Sequence, residues 1–257
     1  NWWPFMWMDD ADIYDADGNV TIGSDNMADA LDFWGSFYQN GYCPSSLQSG
    51  PWSIDNIANG VAAMQIGGTY MINAAEEYNK DGHNIGVVPL PTPEGKDAVT
   101  VAGGQMLGVS SQSKDVDAAA DFIFWCFGSD DTTNAVKWCT ETKFAYPVRQ
   151  SIIDKNKDLF QEGIKATFTE FYDTARPEPQ YPTEVSDIMG DTLQAVMFGG
   201  SSGEEAAKDA QEKIEAYNNV QKKALVDWVN SAKTEQTKAD RITKIIIMAM
   251  NGVIGYI

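Results

Sequence analysis

Apolar positions along the chain change period several times, and each change marks an element. From Ser24 onward Met27, Ala30, Leu31, Trp34, Phe37 and Tyr38 recur at i, i+3, i+4 and i+7, one face of an amphipathic helix that Gly41 ends. A shorter helix is expected over 55–60. Val61-Ala62-Ala63-Met64-Gln65-Ile66 then runs without a helical period and stops at Gly67-Gly68, the pattern of a buried strand. A helix over 71–79 and a strand over 85–90 follow. Alternation of helix and strand predicts an α/β layer structure.

Residues 91–97 are rich in proline and glycine, the composition of a linker or hinge. Strands are expected at 100–101 and 106–109, on either side of Gly103-Gly104. Helices over 116–127 and 132–140 flank the turn Gly128-Ser129-Asp130-Asp131, and Tyr146-Pro147-Val148-Arg149 breaks the pattern. Residues 151–198 read as helical, interrupted at Arg176-Pro177-Glu178-Pro179. Ser201 or Ser202, with an acid three residues on, starts a capped helix through Ala206, Ala210, Ile214 and Tyr217. Nearer the start, Asp15-Ala16-Asp17-Gly18-Asn19 predicts a tight hairpin turn. A calcium loop would need glycine at its sixth position and glutamate at its twelfth, where Val20 and Asn26 stand. The apolar run from Ile245 to Ile257 is shorter than the ~18–20 residues that cross a bilayer.

Composition narrows the function. Thirty-seven acidic against 18 basic residues give a net charge of −19, which disfavours nucleic acid and anionic lipid as partners. Hydrophobic residues at 43% and charged residues at 21% describe a soluble globular protein. The single histidine, His83, lies in a polar loop, and Cys43, Cys126 and Cys139 form no CxxC pair, so neither a metal nor another cofactor is expected. Buried free thiols are expected, with a Cys126–Cys139 disulfide as the alternative. There is no GxSxG motif, and binding without turnover is the primary expectation.

Three groups of residues could contact a ligand. Trp2, Trp3, Phe5 and Trp7 offer flat rings that complement the apolar C–H faces of a sugar. Four such rings within six residues cannot share one face of a helix or strand, so some are expected to line a groove. Gly68, Thr69 and Tyr70 follow an expected buried strand and precede a helix, where α/β proteins place ligands beyond strand ends. Gly103 and Gly104 would let backbone amides approach a ligand, with Gln105 as a hydrogen-bond partner. Asp9, Asp10 and Asp12 beside the tryptophans leave two alternatives: a carbohydrate-active hydrolase working through paired carboxylates, or a site for a polyamine or peptide.

Taken in order, the Trp-Trp-Pro segment, the Asp-Gly hairpin, the long helix, "NGVAAMQIGGTY", Val88-Pro89-Leu90-Pro91, Gly103-Gly104, Pro147-Val148-Arg149 and "SSGEEAAKDAQEKI" resemble the carboxy-terminal half of family 1 extracellular solute-binding proteins, the group that serves ABC sugar transporters. The resemblance covers about residues 1–220. It implies a type II periplasmic-binding-protein-like α/β fold, two lobes closing about a hinge, with an amino-terminal portion lying outside this sequence. Residues 1–92 and 151–220 would form the carboxy-terminal lobe and 93–150 part of the other. It places Tyr70 where relatives stack an aromatic on the sugar, Trp3-Pro4 on a wall of the cleft and Gly103-Gly104 near the hinge; Arg149 joins the candidate ligand contacts. Ile188 and Met189 stand where some members carry a further aromatic. The implied partners are a sugar or oligosaccharide and ABC permease subunits, with an extracytoplasmic, monomeric protein meeting the membrane only through a lipid anchor on the amino-terminal portion. Residues 221–257 depart from the family. They resemble the helical tail of small bacteriocin-protection-type proteins, with a plain amphipathic helix as the alternative.

Overall fold

The computed structural model describes residues 2–44, 46–142 and 144–250. Its elements, in chain order, are α1 (Trp3–Met8), α2 (Asp25–Gln39), α3 (Asp55–Ala58), α4 (Ile72–Lys80), β1 (Thr100–Ala102), α5 (Val116–Ile123), α6 (Thr133–Lys137) and α7 (Gln150–Lys155). Then come α8 (Lys157–Phe160), α9 (Ile164–Phe171), β2 (Ala175–Pro177), α10 (Thr183–Gln194), α11 (Gly203–Asn230) and α12 (Glu235–Met250). Helices α5, α6 and α10 each run on into a wider π-turn. The chain divides into two packed units, one of Pro44–Pro91 and Ala98–Glu178, the other of Trp2–Cys43, Thr92–Asp97 and Pro179–Ile257.

In the second unit the sequence signals act as written. Ser24 caps α2, its Oγ accepting from the Met27 amide at 3.3 Å. Met27, Ala30 and Leu31 on the expected face are buried. Two glycines allow helices to approach closely: a Cβ on Gly35 would stand 2.8 Å from the Val196 carbonyl oxygen, and one on Gly203 would stand 2.0 Å from that of Ala28. The Gly203 amide, one of the free donors at the start of α11, donates to Asp32 Oδ1 at 2.6 Å. Ser202 and Glu205 complete the capping box, and Ala206, Ala210 and Ile214 turn inward. The Asp15 turn closes between paired Tyr14 and Val20, with Gly18 at φ 81°. Asp15 accepts from the Asp17 and Asn19 amides and from Asn19 Nδ2 at 2.8–2.9 Å. These bonds, the Asn19 side chain foremost, hold its carboxyl below the usual range. The carboxylate is spent on the turn.

In the first unit Phe144 and Phe160 are fully buried with Ile72 and Ile153, and Tyr146, Ile164 and Phe168 pack around them. A second cluster gathers Ile54, Met71 and Ala75 under Tyr70, Tyr78 and Ile85. Here the sequence expectation fails in part. The strand expected at 100–101 forms, as Thr100–Ala102 pairing in parallel with Ala175–Pro177. Residues 61–66, 85–90 and 106–109 are irregular. A strand of continuous apolar residues persists only where neighbours take its amides and both faces are covered. No strand pairs with these segments among the described residues, and Met64, Val88 and Met106 are exposed. The three cysteines are free thiols, Cys139 buried and its thiol pushed up by that burial. No helix among the described residues is long and apolar enough to cross a membrane. Part of the apolar run Ile245–Ile257 lies outside the described residues.

Candidate functional site

Tyr70 stands at the head of α4, in the short 3₁₀ turn Thr69–Met71 that leads into it. The glycine pair before it has a local purpose. A Cβ on Gly68 would lie 2.6 Å from Cε1 of the Tyr70 ring, and one on Gly67 would lie 2.4 Å from the Met71 sulfur. Both side chains fold back over bare backbone, and Gly68 itself is extended (φ −129°), so the glycine serves space rather than an unusual dihedral. The ring of Trp52, 63% exposed, meets that of Tyr70 at 68° with centroids 6.1 Å apart. Two rings so steeply inclined make a corner.

The corner has polar groups in its wall. Gln65 Nε2 donates to the Pro51 carbonyl at 2.8 Å, which ties the Trp52 loop to the segment before the glycines and fixes the amide. Its Oε1 is buried without a hydrogen-bond partner, as is the Tyr70 hydroxyl. Burial raises the Tyr70 phenol above its ordinary pKa, so it stays protonated and able to donate. An orphaned buried polar atom costs on the order of 1–3 kcal/mol. Beneath, Asn56 is buried and accepts from the Ser49 amide while donating to Gly50 and Ser53 carbonyls, so the loop bearing Trp52 is held from inside.

The other expected residues fall elsewhere. Trp2 and Trp7 are buried, while Trp3 remains half-exposed. The segment is a helix whose Trp2, Phe5 and Trp7 rings are all covered although they point in several directions, and the expected exposure is confined to Trp3. Trp3 lies 5.8 Å from Trp2 and 5.6 Å from Tyr181. Tyr181 donates to Asp12 Oδ1 at 2.8 Å, and Asp10 pairs with Lys96 at 2.6 Å. Two of the three acids weighed for hydrolysis or polyamine binding are therefore engaged. Gly103, Gly104 and Gln105 are exposed just past β1. Around Gly104 nothing comes within 4 Å of a built Cβ. Arg149 donates to the Ser129 and Phe127 carbonyls at 2.8 and 3.4 Å, closing the end of the α5 run.

Trp52 and Gln65 were absent from the sequence candidates. Their signal was a tryptophan after Gly50-Pro51, a lone large ring in a loop that no apolar period claims.

A profile of the bacterial extracellular solute-binding proteins matches residues 3–167. A second profile, described as Bacteriocin-protection, YdeI or OmpD-Associated, matches residues 205–252, which sets the tail apart as the sequence suggested. Among solved structures the chain is similar to maltose-bound MalE3 of T. maritima (TM-score 0.69, 21% identity), covering 84% of this chain and 56% of that one. It is equally similar to the GacH receptor of Streptomyces glaucescens, studied unliganded and with acarbose (TM-score 0.69, 20% identity, 86% and 56% covered). UgpB from Mycobacterium tuberculosis, in complex with glycerophosphocholine, aligns with a TM-score of 0.64 at 14% identity, 86% and 55% covered. The chain thus spans a little over half the length of these proteins. The fold is the α/β, periplasmic-binding-protein-like one.

Proposed function

Because the chain belongs to the bacterial extracellular solute-binding proteins, we propose that it is a part of an extracytoplasmic receptor that delivers a sugar or oligosaccharide to an ABC importer. The observation that carries the reading is the corner that the exposed Trp52 ring makes with Tyr70. Flat rings cover the apolar faces of a pyranose. In this reading residues 1–92 and 151–220 belong to one lobe and 93–150 to the other, Trp3 is a further candidate ligand contact, and Gly103, Gly104 and Gln105 lie near the hinge. Binding needs no tuned acid or base; the receptor works by closing on its ligand and presenting it to permease subunits.

Calorimetry on the 257-residue chain, with neutral mono- and oligosaccharides, glycerophosphocholine and spermidine in parallel, tests the reading. Saturable binding of a neutral saccharide, weakened at least tenfold by Tyr70→Ala, is expected. Binding of spermidine or of zwitterionic glycerophosphocholine, with no neutral saccharide bound, would overturn it in favour of a site where the rings hold an ammonium group.

A further inference from the structure

The acidity of this chain is unevenly spread. Residues 1–220 carry 34 acids against 12 lysines and arginines, whereas residues 221–257 carry three acids against six. A net charge taken over the whole chain hides a basic segment.

The fold sets that segment apart. Helix α11 packs into its unit through Ala206, Ala207, Ala210, Ile214 and Asn218. Past Asn218 no described residue is buried, and α12 folds back along α11. The hairpin is braced at Trp228: the Arg241 guanidinium lies over the indole at 5.1 Å and the Lys244 ammonium at 6.0 Å. Arg241 also donates to the Trp228 carbonyl and, at 2.8 Å, to Ser231 Oγ. Val226, Ile242, Ile246 and Ile247 are left exposed among these cations.

We infer that the hairpin spanning residues 219–250 is a peripheral docking surface for an anionic lipid bilayer, lying among the headgroups. Exposed isoleucines beside lysines, with a tryptophan at the boundary, are what an interfacial helix presents. Over the described residues neither of its helices is long and apolar enough to cross the bilayer. The acidic remainder of the chain does not cancel the attraction. The twelve residues of α11 beyond Asn218 extend about 18 Å, roughly twice the Debye length of ~8–10 Å at physiological salt, so the cations at the Trp228 end, Arg241 and Lys233, are screened from the acidic body. The hairpin of a second copy carries the same positive charge, which disfavours hairpin-to-hairpin pairing.

Flotation of the 257-residue chain with vesicles of phosphatidylcholine alone, or with about a third phosphatidylglycerol, tests this. Binding to the anionic vesicles only is expected, falling at least fivefold in Lys222→Glu/Lys223→Glu and in Ile246→Ser/Ile247→Ser, and lost in high salt. Unchanged far-UV dichroism would show that both variants keep their helices. Equal flotation with both vesicles, no flotation, or a dimer in sedimentation equilibrium that the isoleucine variant dissolves without any lipid binding would each overturn it. None of these outcomes depends on the saccharide reading.

Discussion

Tyr70 rests its ring on Gly68, so closely that a single methyl there would come within 2.6 Å of Cε1. The resting position of the candidate stacking ring is thus set by an absent side chain two residues before it. Gly68→Ala is allowed by the backbone, and its cost falls on the ring. The variant is expected to keep its thermal midpoint within a few degrees while saccharide affinity drops at least fivefold and the near-UV dichroism of the Trp52–Tyr70 pair changes. An unchanged affinity would separate the ring from ligand binding.

Trp52→Ala removes the exposed half of the corner. Loss of about 1–3 kcal/mol of ring contact is expected, a fall in affinity of roughly tenfold or more, with Trp52→Phe recovering part of it. Since Trp52 is mostly outside the core, unfolding by urea should be almost unaffected.

Gly203→Ala probes the opposite situation, where the neighbour is backbone. The new Cβ would stand 2.0 Å from the Ala28 carbonyl oxygen, and neither helix can yield without disturbing the Gly203–Asp32 bond. Destabilisation of about 1–3 kcal/mol is expected, read as a lower urea midpoint with the slope unchanged.

Asp55 accepts from the Tyr78 hydroxyl at 2.7 Å, and that bond, with a smaller contribution from Ser53, holds the carboxyl below its ordinary pKa. A carboxyl depressed in the folded state lends stability that is present above its unfolded pKa, near 4, and is lost as pH falls through the folded value. Tyr78→Phe should raise the Asp55 pKa in an NMR titration and shift the acid limb of the stability profile upward in pH. An unmoved Asp55 resonance would dissociate the pair.

Sequence periodicity determined what depends on residues close in the chain. The face of α2, the cap at Ser202 and the Asp15 turn all follow from spacings of three or four residues, because backbone donors at a helix start or a turn are met locally. The order of motifs also carried the family. Strand formation did not follow, since 61–66 and 85–90 needed partners that no local pattern supplies. Nor did the site: burial of Trp2 and Trp7, the capping duty of Arg149 and the meeting of Trp52 with Tyr70 join residues from separate segments, and only the packed chain decides which rings are covered and which are left facing outward.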